Sequence, residues 1–278
     1  MLKIEVKTKR KIVDCLYYIG VIIVLIAVLF PFVWMFLTSI KKELDVLAIP
    51  PRIFFEPTIE NYIFVFERSD IIKGLINSLI IVGSVIALAI PISMLAAYGF
   101  TRFNVGGGHL QFYILTVRMF PPIAAIVPYF VIFRNFGLLD NHLSIILLNT
   151  LFNMPFTIWL LAGFLREIPQ DLEEAAMIEG ATRFEAFREI TLPLIAPALA
   201  VAAIFAAIFT WNEFLFAFIL TRSEAITVTR VMAGFYTERG ILWGPLSACS
   251  TLCTVPMFIL ALMIQKYIVR GLTFGAVR

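Results

Sequence analysis

The sequence predicts an all-α membrane protein with six transmembrane helices, and three observations carry that prediction. Of 278 residues, 61% are hydrophobic and only 15% charged, where soluble domains run at about 45–50% and about 25%; mean hydropathy is +0.95. Residues 15–40, 74–101, 141–165, 190–212 and 240–265 contain no Asp, Glu, Lys or Arg. Each run exceeds the roughly 20 helical residues that cross a hydrocarbon core about 30 Å thick. A sixth apolar stretch, 110–133, is interrupted only by Arg118. The same composition excludes a soluble enzyme and a disordered chain. A net charge of +3 with no basic stripe excludes a nucleic-acid binder.

The expected helices lie near 15–40, 74–101, 110–133, 143–165, 194–220 and 241–265. Barrel strands would be about half as long and would alternate polar with apolar residues. Pro31, Pro91, Pro128, Pro155 and Pro256 fall inside the runs, where neighbouring helices can re-satisfy the carbonyls that a proline frees. The first run follows Lys3, Lys7, Lys9, Arg10 and Lys11. It is too long for a signal peptide and lacks a small-residue cleavage site, so it reads as a retained helix. Those basic residues place residues 1–12, read as an N-terminal tail, in the cytoplasm. An even number of spans returns the C-terminus to the same side. Loops 41–73, 134–142 and 222–239 then lie outside, and 102–109, 166–195 and 266–278 inside. Residues 13–278 read as one membrane domain. Cys15, Cys249 and Cys253 lie in apolar runs and indicate no disulfide framework; Cys249 and Cys253, at i,i+4, read as small lipid- or core-facing residues.

The loop 166–193 holds helix signals in two places. Asp171, with Glu174 three residues on, resembles an N-cap with a capping box, and Gly180 suits the left-handed residue that ends such a helix. Thr182 with Glu185 is a capping box for a second helix, which Pro193 is expected to stop. Phe184, Phe187 and Ile190 make an apolar stripe on it. Leu172, Ala175 and Ala176, small or apolar beside carboxylates, suit a docking knob for a cytoplasmic protein. On physical grounds alone, a solvated amphipathic loop lying on the bilayer serves as well.

Glu174, Ala175, Ala176, Gly180, Ile190, Leu192 and Pro193 also occupy the positions of a known pattern: Glu-Ala-Ala, three residues, Gly, nine residues, Ile-x-Leu-Pro. The loop thus resembles the EAA motif of permease subunits in binding-protein-dependent ABC importers. The blocks Asn77-Ser78, Ala96–Phe103, Arg118–Pro122, Gly137–Asp140, Trp211–Phe214 and Gln265–Thr273 extend the resemblance, specifically to the MalG-like carbohydrate permeases, over most of 75–278. The resemblance implies a type I importer (MetI-like) architecture with cytoplasmic coupling helices in 166–193 that seat in an ATP-hydrolysing partner. It implies a second permease subunit, two ATP-binding subunits and an extracytoplasmic solute-binding protein as partners. It also implies a sugar-type substrate and a place in a bacterial or archaeal cytoplasmic membrane. In that family the loop 222–242 faces the docked binding protein, which makes Tyr236 and Arg239 candidate anchors, with an interfacial aromatic belt as the alternative.

No Gly-Lys dipeptide occurs, so there is no Walker A loop; ATP is expected to be used by a partner, with no cofactor on this chain. His109 and His142 form no metal-ligand pattern, and no catalytic group is indicated. Arg118 and Glu213 are charges inside spans, where charges face a bundle interior or a water path. Arg118 either snorkels or pairs with a carboxylate. Glu213, if buried, needs Arg118, a partner chain or a proton. Asn212, Glu213 and Asn153 are the candidate path residues, with Asn149 and Thr157 on the same helix line as Asn153. Interhelical hydrogen bonding is the competing role. A permease for an amino acid, phosphate or polyamine is the alternative within transport. An ion-gradient transporter would show inverted repeats and broken helices, and no repeat is evident between the halves.

Overall fold

The computed structural model describes the backbone of residues 2–273 and the side chains of residues 14–263. The residues from Gln265 onward in the expected tail block therefore lie outside the described side chains. In chain order the elements are α1 (Leu2–Ser39), α2 (Glu43–Val46), α3 (Glu60–Arg68), α4 (Ile71–Arg102), α5 (Gly107–Val117), a 3-10 turn (Pro122–Ala125) and α6 (Ile126–Asn135). Then follow α7 (His142–Glu167), α8 (Asp171–Ile178), α9 (Arg183–Ala186), a π-helical turn (Phe187–Thr191), α10 (Leu192–Trp211), α11 (Leu215–Leu220) and α12 (Val228–Ala233). A two-stranded hairpin of β1 (Tyr236–Thr237) and β2 (Gly240–Ile241) precedes α13 (Trp243–Thr273).

Five described helical segments are long and apolar enough to cross a membrane, and a sixth crossing results if the bent pair 107–117 and 122–135 counts as one. That pair departs from the continuous helix expected over 110–133, because the axis turns by 80° at the break. Pro121 and Pro122 cause it. Neither has an N–H to continue the ladder, and Pro121 is extended, with ψ 120°, as the residue before a proline prefers. The expected helix 194–220 is likewise interrupted. α10 ends at Trp211, and α11 starts at Leu215.

The chain forms two compact units. One comprises residues 1–69 with 235–252. Its first helix, α1, begins at Leu2, within the stretch read as a tail. The apolar residues of α1 from Leu16 to Phe30 are exposed, as a lipid- or protein-facing helix requires. Its end is tied to the following loop. The Asn61 amide donates to the carbonyls of Ser39 and Lys41 at 2.9 and 2.8 Å. Lys41, buried to 3% exposure, donates to the Arg52 carbonyl and lies over the Trp34 and Phe55 rings. Both contacts compensate a cation taken out of water.

The second unit, residues 70–234 with 253–278, is a bundle built on α4, α7 and α10. Two apolar clusters fill it. One joins Ile81, Val85 and Ala89 of α4 to Ile126, Phe133, Ile145, Leu148, Phe216 and Leu220. The other joins Met94, Ala97 and Tyr98 to Leu161, Leu165, Ile195, Ala198 and Ala202. Small residues in the second cluster let the helix backbones approach, the usual packing device where lipid removes the hydrophobic drive between helices. Gly74 serves the same purpose elsewhere: a Cβ there would stand 3.0 Å from Val231, so α12 packs directly on α4.

Candidate functional site

The loop 166–193 folds into two short helices around Gly180. Asp171 is the first residue of α8; Gln170 occupies the preceding cap position with no side-chain cap bond. The expected Asp171–Glu174 box is therefore absent. Instead, Asp171, Glu173 and Glu174 crowd the first turn, where the helix dipole favours acids. The far end closes as expected. Gly180 takes φ +103°, its N–H reaches the Met177 carbonyl, and Ala181 N–H reaches Ala176. That pair of bonds is the Schellman closure, in which a left-handed glycine satisfies the last carbonyls. Thr182 and Glu185 form the reciprocal capping box of α9: Thr182 N–H donates to the carboxylate at 2.7 Å, and Glu185 N–H to the hydroxyl at 3.3 Å.

Pro193 does not stop the second helix. The chain widens into the π turn 187–191 and runs on as α10, with Pro193 in its first turn. A proline is tolerated there, because its missing N–H falls near the change of hydrogen-bond register. Residues 183–211 thus form one continuous helical segment.

What holds α8 is Glu173, a residue that the motif passes over in favour of Glu174. Glu173 is 5% exposed. Its carboxylate accepts from Arg102 Nε at 2.8 Å, Tyr98 OH at 2.6 Å and Thr191 Oγ1 at 2.7 Å. Burial opposes its ionisation, but the three donors and the Arg102 charge outweigh that and hold its carboxyl below the usual range, so it is a carboxylate at neutral pH. Arg102 also donates to the carbonyls of Leu165 and Ile168, at the end of α7. Tyr98 packs edge-on against Phe103 and Phe187, and Arg183 lies over Phe103. The block 96–103, singled out in the sequence only by resemblance, is the seat of the loop.

The opposite face of the loop is bare. Glu174 and Ala175 are exposed, Ile178 is 87% exposed and Phe184 68% exposed. Leu172 is partly bare too, beside a cleft of about 270 Å³ lined by Phe164, Ile168, Leu194 and Pro197. Of the motif, Glu174, Ala175, Ala176 and Gly180 share this helix and its turn. Ile190 and Leu192 are half-buried at its base, beside the exposed Pro193. Exposed isoleucine, leucine and phenylalanine beside acids make a surface suited to a partner with an apolar recess and a basic rim.

The candidate path residues lie on α7 and at the end of α10. Asn153 is buried, donating to the Asn149 carbonyl at 2.8 Å and to Thr210 Oγ1 at 3.2 Å. It bonds α7 to α10, while its Oδ1 has no protein partner. Asn149 and Thr157 likewise turn back onto their own helix. Asn212 is exposed, with its amide on the Ile208 carbonyl. Glu213 is paired neither with Arg118 nor with another charge: its oxygens accept from Phe216 and Ala217 N–H at 2.7 and 3.1 Å. It caps α11, where orphan N–H groups are available. Arg118 donates to the Phe152 carbonyl and lies 4.2 Å over the Phe209 ring. Its compensation is aromatic rather than acidic.

The segment after α11 is organised by a residue that sequence reasoning left without a role. Asp140, at φ +53°, accepts from the N–H groups of Arg222, Ser223, Glu224 and Ala225 at 2.8–3.0 Å. Burial opposes its charge, but the four donors hold the carboxyl well below the usual range. Gly137 and Leu138 close α6 with a second Schellman pair, which aims Asp140 at this loop. Asn77 donates to the carbonyls of Glu224 and Ile226, and Ser78 accepts from Val228 N–H. In the other unit, Tyr236 and Arg239 lie on the exposed β1–β2 hairpin, with Tyr236 in the first strand and Arg239 in the connecting turn. Among the described residues no cluster of three or more His, Cys, Asp or Glu can hold a metal.

Residues 89–274 match the family described as "Binding-protein-dependent transport system inner membrane component". The chain is 36% identical to the trehalose/maltose transport system permease protein MalG of Thermococcus litoralis, over 95% of this chain and 96% of that one. It is 36% identical to the trehalose transport system permease protein SugB of Mycobacterium tuberculosis, over 90% and 92%. It is 35% identical to the sulfoquinovosyl glycerol transport system permease protein SmoH of Agrobacterium fabrum, over 95% and 93%. Among solved structures, a chain of a bacterial ABC transporter for import of the acidic polysaccharide alginate shares its fold, with a TM-score of 0.70 at 22% identity, covering 92% of this chain and 96% of that one. With an apolar multi-span bundle and a capped helical knob whose outer face is bare, the chain belongs to the inner membrane components of binding-protein-dependent transport systems, as a permease subunit of an ABC importer.

Proposed function

We propose that this permease moves a sugar or sugar derivative inward across the cytoplasmic membrane and is driven through its 171–186 loop. In this reading a separate ATPase subunit receives the exposed face of α8 and α9, and ATP is hydrolysed there and not on this chain. Two such subunits, a second permease and an extracytoplasmic binding protein complete the machine. The termini and the loop 166–195 are cytoplasmic. The single observation that carries the reading is the polarity of the loop. One face of α8 is locked to the bundle through Glu173, while Glu174, Ala175, Ile178 and Phe184 are left bare. Half of a two-part joint has that form. Relatives named for trehalose, maltose and sulfoquinovosyl glycerol support the sugar class. Tyr236 and Arg239, on an exposed hairpin, are the anchors proposed for the binding protein, and Asn212 a contact on the path.

The test replaces Glu174 by Lys and Gly180 by Pro, one at a time. The first reverses charge on the bare face. The second puts a residue confined to φ near −65° where φ is +103°. Both variants are expected to insert normally and to release the ATPase subunit or uncouple its hydrolysis from uptake. Wild-type uptake of a panel of disaccharides, with the ATPase still bound, would overturn the assignment of this loop.

A further inference from the structure

The buried group around Glu173 does more than satisfy a carboxylate. Arg102 closes α4, and its guanidinium is shared between Glu173 in α8, the Leu165 carbonyl of the last turn of α7 and the carbonyl of Ile168, which caps α7. Thr191, donating to the same carboxylate, closes the π turn from which α10 departs. Tyr98, one turn before Arg102, supplies the remaining donor. Both members of the ion pair are about 95% buried. The carboxylate of α8 is thus bonded at 2.6–2.8 Å to two residues of α4 and to the π turn that leads into α10, and Arg102 extends the network to the end of α7 at 3.1–3.2 Å.

A buried ion pair is poor evidence for stability, since desolvation consumes most of the Coulomb gain. What a fully bonded buried network does supply is a single geometry, because any displacement leaves an unpaired charge in an apolar surround. A helix packed on a bundle by apolar contacts alone can slide by small steps at little cost. One pinned by a charge bonded in several directions can only move with its partners.

We propose that Glu173 and Arg102 are positioning residues that make α8 move as one body with the inner ends of α4, α7 and α10, so that displacement of the knob reaches all three helices together. The inference rests on the reading that the knob docks on the ATPase subunit, and it assigns the transmission within this chain to two residues outside the EAA pattern.

The experiment uses the assembled complex, with spin labels on cysteines at Glu179, beyond α8, and at Asn104, beyond α4. Both positions are exposed and outside the network. The distance between the labels is measured without nucleotide and after trapping with ATP and vanadate. In the otherwise native chain a single narrow distance is expected, identical in both states. Glu173→Gln and Arg102→Gln should keep that distance without nucleotide and lose it on trapping, when the knob is loaded. A merely stabilising role would broaden both states or neither. Glu167→Gln, a nearby carboxylate outside the network, should behave as the parent. A parent distance that changes on trapping, or a Glu173→Gln distance that stays narrow, overturns the proposal. Glu174→Lys separates the two readings. If it releases the ATPase while Glu173→Gln stays narrow, the joint alone fails. If it holds the ATPase as the parent does, the docking reading fails as well. Should the charge-removing variants not assemble, Tyr98→Phe and Thr191→Val each delete one neutral donor. Both must then broaden the trapped distance, and a narrow distance in either overturns the proposal.

Discussion

At the scale of single residues, the protein places its few polar groups where backbone orphans await them. Glu213 and Asp140 serve the same purpose by different routes. One caps a short helix inside an apolar segment, and the other gathers four successive N–H groups of a loop. For Asp140 the pH dependence follows from the direction of its shift. The folded carboxyl titrates below the unfolded one, so its contribution is fully present above the unfolded value of about 3.9. It is lost as pH falls through the lower, folded value. Between pH 5 and 8 the loop 221–228 is therefore expected to be insensitive to pH. Asp140→Ala removes all four acceptor bonds, and a residue with φ +53° gains nothing from alanine. A loss of about 1 kcal/mol is expected: bonds to a charged acceptor are lost, but water replaces it at the exposed Arg222, Ser223 and Glu224 N–H groups, and only Ala225 is partly buried. Limited proteolysis within 221–228 reads it as faster cutting in the variant. Equal cutting rates would show that the loop is held by Asn77 and Ser78 alone.

At the scale of elements, the breaks matter more than the helices. Pro121 and Pro122 fold the third apolar stretch by 80°, while Pro193 produces no break, because the π turn absorbs it. The difference lies in sequence context. A Pro-Pro pair removes two successive donors and forces an extended residue, whereas a single proline in the first turn of a helix removes a donor that has little use. The loop 166–193 is likewise made of ends: a glycine closure for α8 and a reciprocal box for α9. A four-residue helix is unstable on its own, so its cap carries much of its order. Thr182→Ala is expected to cost about 1 kcal/mol, which speeds amide exchange over 183–186 about fivefold. Hydrogen exchange monitored by mass spectrometry checks this, and unchanged exchange would mean that docking of α9 on the π turn suffices without the box.

At the scale of the whole molecule, the proposed topology puts the loop 166–195 and both termini in the cytoplasm. With Cys15, Cys249 and Cys253 replaced by Ser, single cysteines at Gln170 and Glu60, both exposed, should respond oppositely to an impermeant maleimide applied to intact cells. Glu60 should label from outside, and Gln170 only after permeabilisation. The reverse pattern would invert every loop assignment. It would also place the EAA-type surface on the wrong side for a cytosolic ATPase.

Membrane residence, the approximate number of crossings and the knob-forming loop were all legible in the sequence, because each depends on local order. Charge-free runs set span length, Gly180, separated by three residues from Glu174-Ala175-Ala176, sets a closure, and Thr182-x-x-Glu185 sets a start. The EAA-type spacing added the family. The partners of buried polar groups were not legible. Nothing local distinguishes Glu173 from Glu174, yet one is buried on Arg102, 71 positions away, and the other faces outward. Helix rotation decides between them, and rotation is set by packing of α8 on α4 and the π turn. The same holds for Asn153, whose amide meets Thr210 of α10, and for Glu213, whose partners appear only once the helix breaks beside it. Patterns along the chain specify what each segment becomes; which side chain meets which charge follows from how helices distant in sequence are turned against one another, since a buried charge is tolerated only where other segments bring its donors.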